Sequence, residues 1–422
     1  MAPAPASPRI AIRDWHIVLA AGAILAALFS IHFRAPWRYA HDDNGAWTQA
    51  VASAHLRAGL DQTRGQDFFL RRDGGGLVPY LHHPPLYGLT VASIYRLTGR
   101  FDPSMTRAIP AFFHLCSLVG LAFLARRLWP DSRGRRWVAL LLFAIVPMSS
   151  FFGKMPFNEA MGLCWVTWAL HFTATQRDRP SRGTLAAAGI LWALACLTSW
   201  PAYAILSAVL ALIAWEARTQ TWPGARRTAL ILVAVGGGTA ALVFGQIAWA
   251  ARGQELTLFA AAEHWGAHRV SPGEIISRLG KALDMHRQYF ANLPFLVYLL
   301  WIGGRLYEAR KGTARVSPAH RFILAVSLGC MLWALVFLRA ISIHAYGQFW
   351  FLPVEALAVG DASVSIAKHL RARPRLRLAL AALFVAGTIA SSAAILAYRY
   401  GKSGSYAQSA SERYATTYWT TP

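Results

Sequence analysis

Several residues in this chain sit where they could do chemistry. Asp42 and Asp43 are adjacent carboxylates soon after the first long apolar run. Neighbouring carboxylates repel, so a cation, a substrate hydroxyl or a proton-abstracting role must favour the pair; otherwise they are solvated loop acids. His82 and His83 stand on a rigid corner made by Pro84 and Pro85. Imidazoles held this way bind a divalent metal or a phosphate, or merely anchor an interface. Glu159 opens a later apolar run, after Pro156-Phe157-Asn158. The helix dipole favours an acid there, and a near-membrane acid is also a functional candidate. His344 and Tyr346 lie just before another apolar run. A histidine there can be simply interfacial, but all these groups fall on one side of the membrane in the topology that follows.

A membrane bundle must position them. The 422 residues are 55% hydrophobic and 14% charged, against roughly 25% charged in a soluble domain. Spans are expected over residues 15–31, 109–128, 137–152, 158–174, 184–200, 202–217, 228–250, 293–307, 322–338, 349–366 and 376–398. That makes an all-α integral membrane bundle of about eleven transmembrane helices. Arg305, Pro353 and Glu355 interrupt the eighth and tenth runs. Basic residues gather in alternate loops, with Arg133, Arg135 and Arg136 in one, Arg177 and Arg179 in another, and Arg226 and Arg227, Lys311 and Arg315, and Arg371 and Arg373 in later ones. The loops between are nearly bare. By the positive-inside rule the N-terminus is cytoplasmic and the long first loop, residues 32–107, faces outward.

The net charge of +23 does not point to nucleic acid. It is spread over every cytoplasmic loop, where anionic headgroups are the simpler counterions. The N-terminal run lacks a small-x-small cleavage site and reads as an uncleaved anchor. Cys116, Cys164, Cys196 and Cys330 fall inside apolar runs without metal-ligand spacing. No phosphate-cradling glycine loop and no GxSxG motif occurs, so no nucleotide cofactor is expected. Gly236-Gly237-Gly238 lies within a span and suits helix packing.

Two segments of the first loop read as short helices lying flat at the interface. In one, Trp47, Val51, Ala54 and Ala58 share a stripe. The other is opened by Pro84-Pro85 and stopped by Gly99, with Leu86, Val91, Ile94 and Leu97 facing one way. Residues 71–76 between them read as a flexible turn. A second large outer loop, residues 252–291, holds Glu255, Glu263, His264, His268, His286 and other polar residues, and reads as partly helical. The organisation expected is a membrane domain over 1–398 and a short, poorly ordered tail over 399–422.

An acidic pair after the first span, a helix, and then a His-Pro-Pro-Leu-Tyr motif resembles the polyprenyl-phosphate-dependent GT-C glycosyltransferases. The likeness is to the protein mannosyltransferase and aminoarabinose transferase superfamily, including the RgtA/B/C/D-like bacterial enzymes. It is carried by Asp42-Asp43-Asn44-Gly45-Ala46-Trp47 and His82-His83-Pro84-Pro85-Leu86-Tyr87-Gly88-Leu89, with Arg107, Glu159 and the 344–353 stretch fitting the later pattern. Two departures stand out: the second acid is Asp43 where Glu is usual, and His83 stands where some relatives have Lys. The family can carry an outer soluble domain, and here only a short tail follows the last span.

The resemblance implies inverting sugar transfer at the periplasmic face of the inner (plasma) membrane. The donor would be a polyprenyl-phosphate-sugar and the acceptor a glycan, lipid or protein hydroxyl. Asp42 would be the catalytic base, assisted by Asp43. His83, Arg107, Glu159, His344 and Tyr346 would contact substrate or phosphate. Asp43, His82 and His83 are the candidate ligands of a divalent cation, Mg, Mn or Zn. The alternative function is a multi-span transporter or flippase of lipid-linked or envelope intermediates, which would place its polar sites near the midplane instead.

Overall fold

Prolines set where many of the helices start. The structure is a computed structural model that describes residues 12–37, 41, 43–252, 270–312, 316–401 and 405–421. Helix α1 (Ile12–Ser30) leads into the first loop, which contains α2 (Asp43–Ala58), α3 (Leu60–Thr63), a hairpin of β1 (Phe68–Leu70) and β2 (Leu77–Pro79), and α4 (Leu86–Thr98). The bundle continues with α5 (Pro103–Leu128), α6 (Arg133–Ile145), α7 (Pro147–Phe152), α8 (Asn158–Asp178), α9 (Arg182–Thr198), α10 (Pro201–Arg218) and α11 (Ala225–Ala250). Past residue 270 come α12 (Ile275–Tyr289), α13 (Asn292–Arg310), α14 (Pro318–Val336) and α15 (Leu338–Ile341). A 3-10 segment, Ala345–Phe351, feeds α16 (Leu352–His369), followed by α17 (Pro374–Gly401) and α18 (Ser405–Thr417).

Six of these elements are long and apolar enough to cross a bilayer: α5, α10, α11, α14, the run Ala345–His369 and α17. Their outer faces stay apolar where the protein does not cover them. Leu378, Leu383, Val385 and Ile389 of α17 are all exposed, as suits a helix against lipid. The run expected over 137–152 is broken. Val146 is extended and α7 restarts at Pro147, because proline disfavours the helical conformation in the residue before it. Pro353 does not disrupt its run, since it occupies the first turn of α16, where no hydrogen bond is lost.

The first loop differs from its expected form. α2 is not an interfacial helix, for every residue from Asn44 to His55 is buried. Several of its polar side chains bond to distant parts of the chain. Thr48 donates to the Pro156 carbonyl at 2.6 Å and Gln49 to the Phe101 carbonyl at 2.6 Å. Gly45 is what lets Trp37 lie against the helix, since a Cβ there would sit 2.3 Å from the indole. On α4 the buried stripe is Tyr87, Gly88, Val91, Ala92 and Tyr95, while Leu97 is exposed. Gly99 ends α4 in the left-handed conformation with φ 65°, as its type suggests. The turn at 71–76 closes an antiparallel hairpin with Phe68 opposite Pro79 and Leu70 opposite Leu77.

Among its described residues the tail forms a helix, Ser405–Thr417. Past α18 the chain pairs with the hairpin, Arg71 bridging to Tyr418 and Trp419 N–H donating to the Leu70 carbonyl at 2.9 Å. The hairpin thereby gains a third extended segment, which satisfies backbone groups that an edge would leave open. In the second outer loop, residues 253–269, with Glu255, Glu263, His264 and His268, lie outside the described residues; 275–289 is helical.

Candidate active site

The N-terminus of α2 is the centre of the site. Asp43 occupies its first turn and is half-buried. Asp42 lies outside the described residues, one position before it. Asn44 fixes the approach, its amide donating to the His41 carbonyl at 3.3 Å and to the Met155 sulfur at 3.4 Å. His41 holds a left-handed backbone, φ 65°, a strained state that persists only where the surroundings impose it.

Aromatic rings knit this start of α2 to three other chain segments. Trp47 lies 5.9 Å from His83, 5.3 Å from Phe157 and 5.4 Å from Tyr80, ring centre to ring centre. His83 meets Phe157 edge-on at 4.9 Å, and Phe157 in turn meets Tyr346 at 5.3 Å. Tyr346 also touches His41 at 5.9 Å and His344 at 5.1 Å. The first loop, the Pro156-Phe157 turn before α8 and the 3-10 segment before α16 therefore form one wall. Tyr346 lies in the electrostatic field of Glu159, Tyr80 and Asp43.

Two acids here are buried, each with an oxygen that has no hydrogen-bond partner. Glu159, in the first turn of α8, is buried and its Oε2 has no hydrogen-bond partner. Asp67, two percent exposed, has an unpartnered Oδ1 and packs against Gly88, where a Cβ would come within 2.4 Å of it. Burial raises the Asp67 carboxyl well above the ordinary carboxylate range. Burial, then Tyr414, Asp67 and Glu159, raise the Tyr80 phenol. Burial lowers the His83 imidazole to about 3, with His82 adding to it. Burial, then Arg399 and His344, lower His41 to about 4. Both imidazoles are thus neutral at neutral pH.

Five of the sequence candidates, Asp43, His83, Glu159, His344 and Tyr346, share this wall. Arg107 braces the chain that leads into α2. It is buried, donates to the Phe33 carbonyl at 3.2 Å and the Ala35 carbonyl at 2.6 Å, and lies 4.2 Å over Trp37. Its visible work is to clamp the strand of chain between α1 and α2. His82 packs on Tyr80 at 4.4 Å, and its carbonyl accepts from Trp200 at 2.7 Å. As metal ligands Asp43, His82 and His83 fit poorly. Among the described residues no three His, Cys, Asp or Glu side chains converge, and aromatic rings enclose His83.

Arg399 is the residue sequence reasoning missed. It ends α17, lies 5.0 Å over Tyr289, and has no hydrogen-bond acceptor for its Nε. A single cation closing a 28-residue apolar helix was the available signal; it reads as an ordinary interfacial anchor.

No protein-family profile and no curated protein matches this sequence. Solved structures do. The archaeal oligosaccharyltransferase AglB from Archaeoglobus fulgidus, in complex with an inhibitory peptide and a dolichol-phosphate, matches with TM-score 0.62 at 14% identity over 97% of this chain and 60% of its own. The Archaeoglobus fulgidus oligosaccharyltransferase in complex with Zn and sulfate matches with TM-score 0.60 at 15% identity, over 91% of this chain and 53% of its own. ArnT from Cupriavidus metallidurans, bound to undecaprenyl phosphate, matches with TM-score 0.59 at 16% identity, over 96% of this chain and 78% of its own. The chain therefore has the GT-C fold, and it spans little more than half the length of the archaeal enzymes it matches.

Proposed function

We propose that this protein is a membrane glycosyltransferase that moves a sugar from a polyprenyl-phosphate-linked donor to an acceptor hydroxyl at the extracytoplasmic face. The observation that carries the reading is the convergence of Asp43, His83, Glu159, His344 and Tyr346 on the start of α2. Neighbours in this fold bind dolichol-phosphate and undecaprenyl phosphate, which supports a lipid-linked donor.

In this reading Asp42 takes the proton from the acceptor hydroxyl as its oxygen attacks the anomeric carbon. The carbon–oxygen bond to the lipid phosphate breaks on the opposite face, which inverts the centre. Asp43 orients Asp42. Glu159 and Tyr346 line the sugar, where hydroxyls can satisfy the open Glu159 oxygen. Negative charge grows on the departing phosphate, and in this reading Arg399, whose charge is felt at His41, offsets it. No step is routed through a metal. The aromatic wall keeps water from competing with the acceptor.

The test is transfer from a purified polyprenyl-phosphate-sugar in vitro. Asp42→Asn should leave the protein folded and lower turnover by ~10²–10⁴-fold. Asp43→Asn should be milder. Near wild-type turnover in both variants would sink the first-loop mechanism.

A further inference from the structure

A second cavity lies at the opposite end of the bundle, among the last turns of α5, α8 and α10, the start of α14 and the loop before α6. Its volume is about 500 Å³, within the range of small-ligand pockets. Its two halves differ in chemistry. The inner wall is apolar and includes Val209, Ile213 and Phe322, while Arg127, Arg177 and His320 stand at its rim.

The rim is richer in cations than its acids can neutralise. Glu216 is shared between Arg177 at 2.8 Å and Arg321 at 3.4 Å. Asp178 is shared between Arg127 at 2.8 Å and Arg177 at 3.8 Å. Asp361 is divided between Arg135, His320 and Arg305, the last of which also reaches Glu308. Over these groups five guanidiniums, with His320 beside them, face four carboxylates. Two indoles that line the cavity, Trp129 and Trp222, are buried and their Nε1 donors have no partner. A buried donor left unpaired costs free energy that a bound acceptor restores.

An apolar slot with a surplus of cations at its mouth and unpaired indole donors buried in its wall, set at the ends of membrane helices, matches one kind of molecule. We infer that this cavity binds the phosphate headgroup of an anionic phospholipid, the acyl chains lying along Leu128, Leu212 and Ala319 and the phosphodiester oxygens meeting the Arg127–Arg177 rim and the indole donors. Basic pockets between transmembrane helices take lipid phosphates in this way. The site is separate from the proposed transferase centre and does not depend on that reading.

The experiment uses the purified full chain in detergent after delipidation. Phosphatidylglycerol, phosphatidylcholine with the same acyl chains, and inorganic phosphate are each titrated, with retained lipid read by native mass spectrometry and thermal unfolding alongside. Wild type should retain one phosphatidylglycerol and melt higher with it, with little response to phosphatidylcholine or inorganic phosphate. Ala174→Phe, which fills the cavity, should lower retention at least tenfold. Trp222→Phe, which keeps the ring and removes the donor, should lower it severalfold and serves if the first variant does not fold. Equal retention of the two lipids, full retention by Trp222→Phe and a folded Ala174→Phe, or a melting shift from inorganic phosphate as large as that from phosphatidylglycerol would overturn the site. Displacement of phosphatidylglycerol by equimolar undecaprenyl phosphate would give the cavity to the carrier lipid and overturn it equally.

Discussion

At the end of the bundle where α1 begins, buried acids are shared among arginines; at the end where α2 begins, they are not. Asp14 holds Arg126 at 2.9 Å and Arg136 at 3.1 Å, and Glu216 and Asp361 are divided in the same manner. At the other end Glu159 and Asp67 each keep a buried oxygen without a partner. An unpaired buried acid is costly. The arginine end spends its charges on holding helices together. The first-loop end leaves its acids open to a ligand, the pattern expected where perturbed groups do chemistry.

The largest effects should separate the two ends by what is lost. Glu216→Gln removes the buried negative charge shared by Arg177 and Arg321 and should cost about 3–5 kcal/mol of stability. Thermal unfolding should reveal it, while the transfer rate of the folded fraction stays unchanged. Glu159→Gln should do the reverse. Transfer should fall by roughly 10²-fold, and the unfolding temperature should hold or rise, because a neutral amide is cheaper to bury than an unpaired carboxylate. Similar losses of stability in both variants would erase the distinction.

The comparison also explains what the sequence could and could not reveal. The helical membrane bundle was legible, because long apolar runs recur along the chain. The burial of α2 was not. Periodicity treats Asn44, Thr48 and Gln49 as solvent-facing, whereas each is hydrogen-bonded to a distant part of the chain. Tertiary partners erased the stripe. The tail was illegible for a related reason: it carries no strong apolar period, and its order comes from backbone pairing and stacking on Arg57 and Arg72.

A smaller effect should appear on acidification. His83 and His41 have folded-state values near 3 and 4, below the ordinary 6.5. A depressed imidazole means that the unfolded chain binds more protons as pH falls below 6.5, so the stabilising contribution is complete above that value and drains away toward pH 4 and then 3. The unfolding temperature should therefore drop between pH 7 and pH 4. His83→Gln, which cannot titrate, should flatten that slope even if it lowers the starting value. An unchanged slope would mean that His83 is not held neutral in the folded protein, and the enclosed aromatic wall would be wrong.

The smallest effect should come from the tail. Trp419 lies beneath two guanidiniums, Arg57 at 3.9 Å and Arg72 at 4.8 Å. Both arginines also donate to tail carbonyls, Arg57 to Thr421 at 2.8 Å and Arg72 to Tyr418 at 2.9 Å. Exposed cation–π contacts contribute about 0.5–1 kcal/mol each, so Trp419→Ala should shift global unfolding only slightly. Its consequence should be local. The backbone bond from Trp419 to the Leu70 carbonyl would be freed to open, and amide exchange at Trp419 should quicken several-fold while α5 and α8 keep their protection. Transfer should change only if the tail steadies the wall, because Tyr418 packs on Phe69 at 4.9 Å and Phe69 on Tyr80 at 5.4 Å. A loss of transfer with unchanged exchange would break this chain of contacts. Faster exchange with transfer preserved would confine the tail to sealing the hairpin edge, and the reactive end of the molecule would then be complete without it.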